Sequence, residues 1–210
     1  MKECTLFGIK RLCVKTDGSG IRTLIGMSGC PLSCKFCINK EGLSPESPVK
    51  TYTVHQLIEE IEIDSLYFSA TDGGVTFGGG EPLLQADFIR EFAEACPMDW
   101  KIALESSLNV PQEELRKVIG LIDHYFVDIK TLNPAVYRRY TGGDFQQAFS
   151  NLLYLKEQVD PDQITVRIPT IPGYTVAEDR HTDRFKLMDM GFRDVDWFQY
   201  QVSNRLKEKR

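Results

Sequence analysis

Cys30, Cys34 and Cys37 stand in C-x3-C-x2-C spacing directly after the apolar run Ile21 to Met27. Three thiolates this close can hold a metal centre, and thiolates are the ligands of iron–sulfur clusters. A [4Fe-4S] cube has four irons, so three local cysteines leave one iron open to a non-protein ligand, where chemistry could happen. The competing reading is structural zinc. Closed zinc sites take four ligands, commonly as paired C-x2-4-C, and neither a second pair nor a nearby histidine completes one. His55 is the nearest histidine, and it falls inside a predicted helix. Cys4, Cys13 and Cys96 share no ligand spacing and are expected to be reduced thiols of a cytoplasmic protein.

Those cysteines need elements to position them, and apolar periodicity supplies the outline. Thr53 and Gln56 form a predicted capping box ahead of Val54, Leu57, Ile58 and Ile61 at helical spacing. Further helical stripes are Leu84, Phe88, Ile89 and Phe92; Leu115, Val118, Ile119 and Ile122 after Pro111; and Phe145, Phe149, Leu152 and Leu153, with a short helix capped at Asn133 and a polar one from Val176 to Met190. Strands are expected at Ile21 to Met27, Val75 to Phe77, Lys101 to Leu104, Tyr125 to Asp128, Ile164 to Ile168 and Val195 to Phe198. Strands alternating with helices imply an α/β fold with parallel strands, either an open sheet or a partial barrel. Both place ligands at the carboxyl ends of the strands. The cysteine loop, Gly78 to Glu81, Glu105 to Ser107, Asp128 to Lys130 and Gln199 to Gln201 all fall at such ends, with Arg167 inside the fifth strand. Each has a plainer reading. A triple glycine is commonly a tight turn, Asp128 and Lys130 could be a surface pair, and Glu105 suits either role. Arg167 in an apolar strand demands an anionic partner, because an unpaired buried charge is costly.

The 210 residues carry 42% hydrophobic and 26% charged side chains and a formal net charge of -5. These values suit one α/β domain over residues 1–210 and argue against nucleic acid as a partner. No apolar run reaches spanning length, so no membrane association is expected. The basic stretch Arg205 to Arg210 reads as a solvated terminus.

The motifs then converge on a known family. Cys30 to Cys37 (CPLSCKFC), with Phe36 as its aromatic, resembles the cysteine motif of radical S-adenosylmethionine (SAM) enzymes, and Gly79, Gly80, Glu81 and Pro82 resemble their GGEP motif. Asp17 to Thr23 (DGSGIRT), Asn39, the Asp128-x-Lys130 pair and Val166 to Gly173 (VRIPTIPG) are similar to activating enzymes of glycyl radical enzymes, the pyruvate formate-lyase activating type. The resemblance implies a partial (β/α)6 barrel and a [4Fe-4S] cluster on Cys30, Cys34 and Cys37. Its open iron would chelate S-adenosyl-L-methionine, whose reductive cleavage would give a 5'-deoxyadenosyl radical. It implies that Phe36 and Asn39 support the cluster and cofactor. Gly79, Gly80 and Glu81 would receive the methionine ammonium, and Lys130 and Arg167 would meet its carboxylate or the ribose. Glu105, Ser106 and Asp128 would take a monovalent cation, sodium or potassium, and Asp17 would meet a peptide substrate. It further implies anaerobic chemistry on a glycyl radical enzyme partner, a flavodoxin or ferredoxin reductant, and a monomer.

Three departures accompany the resemblance. Ser19 replaces the proline of DGPGIR, and Gln201 replaces a histidine expected near the cofactor. The spacing from Cys37 to Gly78 leaves no ferredoxin-like cluster insert, and no C-terminal auxiliary-cluster domain is expected. A small-molecule enzyme similar to 7-carboxy-7-deazaguanine synthase, and more remotely a zinc-stabilised binding module, remain the alternatives.

Overall fold

The computed structural model describes residues 2–14 and 17–199. Eight strands form one mixed sheet: β1 (Glu3–Val14), β2 (Ile21–Met27), β3 (Lys50–Thr53), β4 (Gly74–Gly79), β5 (Lys101–Ser106), β6 (His124–Asp128), β7 (Ile164–Thr170) and β8 (Asp194–Gln199). Their spatial order is β3-β1-β2-β4-β5-β6-β7-β8. From β2 to β8 all neighbours run parallel, whereas β1 lies antiparallel to β2 and β3 antiparallel to β1. Among the described residues the sheet does not close, so the architecture is a partial barrel of six parallel strands extended by an antiparallel edge.

The six expected parallel strands are present, and the edge adds two antiparallel strands to them. β1 lacks clean alternation because it carries a bulge between Lys10 and Cys13, where Leu12 adopts φ 55° and the register shifts. Its inner end is tied down by Arg11, whose guanidinium donates to the buried carboxylate of Asp64, which Thr23 Oγ1 also reaches at 2.8 Å.

The helices are α1 (Val54–Ile61), α2 (Ser65–Thr71), α3 (Ala86–Ala95), α4 (Gln112–Arg116), α5 (Pro134–Thr141), α6 (Phe145–Gln158) and α7 (Ala177–Asp189). The Thr53 capping box forms as expected, and Asn133 accepts from the amides of Ala135 and Val136. The stripe after Pro111 is shorter as a helix than its spacing suggests. α4 ends at Arg116 with Leu115 buried, Val118 is buried from the turn that follows, and Ile122 is buried just beyond it.

The two faces of the sheet differ in kind. Val75, Phe77, Ile102, Leu104, Tyr125, Val127, Val166, Ile168 and Val195 enter one core together with Leu57, Phe88, Phe92, Leu115 and Leu152 from the helices. Alternation sends Thr76, Gly78, Glu105, His124, Phe126, Asp128, Thr165, Arg167, Asp194 and Asp196 to the concave face. That face is polar and partly open, so it encloses a lumen instead of a packed core.

Candidate functional site

The cysteine loop leaves the carboxyl end of β2 and is docked on both sides by backbone. The amide of Gly80 donates to the Met27 carbonyl at 3.0 Å and that of Glu81 to the Gly29 carbonyl at 2.8 Å. On the far side, the amides of Ser33 and Lys35 donate to the carbonyls of Thr141 and Tyr140 at the end of α5. Phe36, the aromatic between the last two cysteines, packs with Tyr140, Ile171 and Tyr174, so the loop is clamped by the connections after β6 and β7. Asn39 Nδ2 donates to the Gly79 carbonyl at 2.8 Å and ties the end of the loop to the glycine stretch.

The triple glycine belongs first to this docking. A Cβ on Gly80 would lie 2.1 Å from the Gly29 carbonyl oxygen, and one on Gly79, whose φ is +91°, would lie 2.8 Å from the Gly26 Cα. Only glycine lets the end of β4 approach β2 this closely.

Glu81 is buried, and its carboxylate accepts four hydrogen bonds: from Ser106 Oγ at 2.7 Å, the Ser107 amide at 2.9 Å, Ser107 Oγ at 2.6 Å and the Leu83 amide at 3.2 Å. Burial pushes this carboxyl above its ordinary range, and the serine donors pull it back. The side chain therefore joins the ends of β4 and β5, a role that the family motif did not announce. Glu81→Gln replaces one accepting oxygen by a donating amide and leaves buried donors facing it. It should destabilise the fold by about 2–4 kcal/mol in urea unfolding, whereas Ser106→Ala, which removes one donor, should cost about 1 kcal/mol. Equal, small effects would mean that the Glu81 cluster does not fasten the strands.

Arg167 finds the anion its burial required: Nη1 donates to Glu105 Oε1 at 2.8 Å across the lumen, and its guanidinium lies 4.3 Å from the centroid of the Phe126 ring. Burial pulls the guanidinium down, but Glu105 and Asp128 outweigh it and hold Arg167 above its ordinary range. Lys130 Nζ reaches Asp128 Oδ2 at 2.9 Å, from a residue in the left-handed region at φ 68°. An L-residue held there at a strand end is a costly conformation that the surrounding packing sustains. Ser106, Glu105 and Asp128 are thus each engaged by a protein partner. Asp17 sits lower, where its carbonyl accepts from Thr76 Oγ1 at 2.7 Å, and Gly18 and Ser19 line the lumen. Gln201 lies outside the described residues.

Cys30, Cys34 and Cys37 are half-buried and close enough to one another for their charges to interact. Burial pushes the Cys30 thiol up to about 11 and raises Cys34 as well, with the Lys130 ammonium drawing Cys34 back. Among the described residues no three Cys, His, Asp or Glu side chains converge as ligands of a single metal ion. A cluster asks for something else, since each thiolate binds its own iron and the sulfurs stand apart. The donor set fits such a group: three cysteines on one clamped loop, at the carboxyl end of the barrel, with Lys130 alongside and, among the described residues, no fourth thiol on that loop.

Residues 24–185 match the model of the Radical SAM superfamily. The chain is 28% identical to the (2S)-3-sulfopropanediol dehydratase activating enzyme of Klebsiella oxytoca, over 80% of this chain and 71% of that protein. It is 27% identical to the pyruvate formate-lyase 2-activating enzyme of Escherichia coli (strain K12), over 83% of this chain and 69% of that protein. In fold it resembles a domain of pyruvate-formate lyase-activating enzyme from Bacteroides vulgatus ATCC 8482, with a TM-score of 0.53 at 22% identity over 65% of this chain and 89% of that one.

Proposed function

The chain belongs to the radical SAM superfamily, and from that premise we propose that it is an activating enzyme that installs a glycyl radical on a partner protein. The observation that supports this reading is that Gly18 and Ser19 line an open lumen shared with Arg167, next to the Asp17 carbonyl that accepts from Thr76 Oγ1. Relatives that are named activating enzymes support it. When bound, a [4Fe-4S] cluster and S-adenosyl-L-methionine supply one-electron cleavage of the cofactor to a 5'-deoxyadenosyl radical that abstracts hydrogen.

The protein's own part is binding, orientation and exclusion of water. Cys30, Cys34 and Cys37 would hold the cluster, while Phe36 packs the loop against Tyr140 and Asn39 fixes it to Gly79. Because Glu81 is filled by serine and backbone donors, the carbonyls of the glycine stretch would receive the methionine ammonium. Lys130 and Arg167 bring positive charge to the methionine carboxylate and ribose. A sodium or potassium ion at Glu105, Ser106 and Asp128 would have to share Glu105 with Arg167. Gln201 would complete the adenosine contacts. A flavodoxin or ferredoxin supplies the electron, and the enzyme works as a cytoplasmic monomer.

The test is anaerobic reconstitution with iron and sulfide, reduction with dithionite, and chromatography for 5'-deoxyadenosine after S-adenosyl-L-methionine is added. A co-incubated glycyl radical enzyme from the same genome is then examined by electron paramagnetic resonance for a glycyl radical. Asp17→Ala should lower the ratio of glycyl radical to 5'-deoxyadenosine about tenfold or more, as the loss of a substrate-positioning contact does. A proportional fall in both products would put Asp17 in the cofactor site instead. A full cluster that yields no 5'-deoxyadenosine would overturn the reading.

A further inference from the structure

Ser28 stands between the end of β2 and Cys30, and its hydroxyl is buried without a hydrogen bond to any described group. Buried side-chain donors are seldom left so, and each exception calls for a reason. The backbone around it is fixed by other means. The Ser28 amide donates to the Thr5 carbonyl at 2.9 Å, and the Ser28 carbonyl accepts from Gln85 Nε2 at 3.3 Å. Gln85, at the end of the turn Pro82–Gln85, also accepts from the Thr5 amide at 2.8 Å. β1 and that turn thus hold Ser28 from both sides, and neither uses its Oγ. A serine hydroxyl at a strand end can bond back to nearby main chain, and this one does not.

The direction of the side chain follows from β2. Ile25 and Met27 enter the core between sheet and helices. Arg22 and Leu24 therefore take the concave face, where Arg22 donates to Thr76 Oγ1 and Leu24 lies beside Gly78. Ser28 has their parity and follows the carboxyl end of the same strand, where the cysteine loop begins. The nearest thiol in sequence is Cys30, whose sulfur accepts from the Leu32 amide while the Glu81 charge opposes a thiolate there. A cluster held on Cys30 brings anionic sulfur to this end of the loop, and hydrogen bonds to cluster sulfurs are one of the quantities that set reduction potential.

We propose that the Ser28 hydroxyl donates a hydrogen bond to cluster sulfur at the Cys30 corner and so raises the reduction potential of the bound cluster. This rests on the reading of the cysteine loop as a cluster site, and it adds a residue that tunes the cluster without binding iron. The bond favours the reduced form, because reduction adds one negative charge to the acceptor and charged acceptors make the stronger hydrogen bonds. Its effect is to ease loading of the electron that S-adenosyl-L-methionine cleavage needs. The partnerless hydroxyl and the independently clamped backbone have one explanation: the side chain is kept for a group that the cysteines carry.

The wild type, Ser28→Ala and Ser28→Thr are reconstituted with iron and sulfide, checked for equal loading and titrated anaerobically with mediator dyes. The electron paramagnetic resonance signal of the reduced cluster then gives the one-electron midpoint. Ser28→Ala should shift the equilibrium about tenfold toward the oxidised form, a midpoint about 59 mV more negative. Ser28→Thr keeps the hydroxyl and should stay within about twofold of the wild type. Pulsed resonance after exchange into D2O should show a deuteron coupled to the cluster in the wild type and Ser28→Thr that Ser28→Ala lacks. A side chain that only packs would not move this signal. Ser28→Gly makes the same deletion should the alanine variant fail to load. An unchanged midpoint and deuteron coupling in Ser28→Ala overturns the inference and assigns the hydroxyl to a buried water. Equal shifts in the alanine and threonine variants overturn it as well, since displacement of the loop then accounts for both. Cofactor cleavage is scored in the same samples: cleavage with an unaltered midpoint removes the hydrogen bond alone, whereas a full wild-type cluster without cleavage removes the reading beneath it.

Discussion

Replacing Cys34 by alanine is expected to abolish cluster loading and S-adenosyl-L-methionine cleavage together. The structure holds Cys34 in place through its backbone and its side-chain packing. Its carbonyl accepts from the Cys37 amide at 3.2 Å, and its side chain packs onto the Phe36, Tyr140 and Ile171 cluster. No neighbouring thiol can substitute, because Cys4, Cys13 and Cys96 lie on β1 and after α3, away from the loop. Losing one of three cluster ligands removes far more than the roughly 10–100-fold that follows loss of an outer-shell partner. Iron and sulfide per chain should fall to background and 5'-deoxyadenosine below detection, while far-ultraviolet circular dichroism stays native. The fold should survive because the loop is clamped by backbone bonds to Gly29, Tyr140 and Thr141 that do not involve the Cys34 thiol. Retained cleavage would remove Cys34 from the ligand set.

What could be read from the chain divides along physical lines. The parallel strands and most helices were legible, because each buries one face and so imprints a period on its apolar residues. Arg167 was legible as a residue needing an anion, and Glu105 supplies it at 2.8 Å. β1 and β3 were not. β1 is broken by the bulge at Leu12, and β3 spans only Lys50–Thr53 at the sheet edge, where pairing with β1 replaces hydrophobic burial as the organising force. The engagement of Glu81 by Ser106 and Ser107 was also hidden, since it depends on how far β4 and β5 reach past one another. So was the hydrogen-bonded group of His124, Thr165 and Asp194. Its members are separated by 41 and 29 residues, and only parallel register, with Phe126 opposite Thr165 and Thr165 opposite Asp194, brings their side chains to one wall.

Gly80→Ala tests whether the glycine stretch acts first as a seat for the cysteine loop. The added methyl would lie 2.1 Å from the Gly29 carbonyl oxygen and 2.7 Å from that of Met27, and both are backbone atoms that no rotamer change can move aside. The strain can be relieved only by separating the end of β4 from the end of β2. That breaks the Gly80–Met27 and Glu81–Gly29 hydrogen bonds and shifts the residue that immediately precedes Cys30. Overpacking of this kind typically costs about 1–3 kcal/mol, and two lost backbone bonds add about 1 kcal/mol each. The expected result is a drop of about 3 kcal/mol or more in urea unfolding, with cluster loading lost in the fraction that stays folded. Gly8→Ala is the matched control, because a Cβ there meets nothing within 4 Å. It should change stability by no more than about 1 kcal/mol and leave iron content unaltered. If Gly80→Ala loads iron as the wild type does and fails only in cofactor binding, the glycine stretch faces the ligand and the docking role falls. If loading and stability fall together, the close approach of two strand ends sets where the cysteines stand.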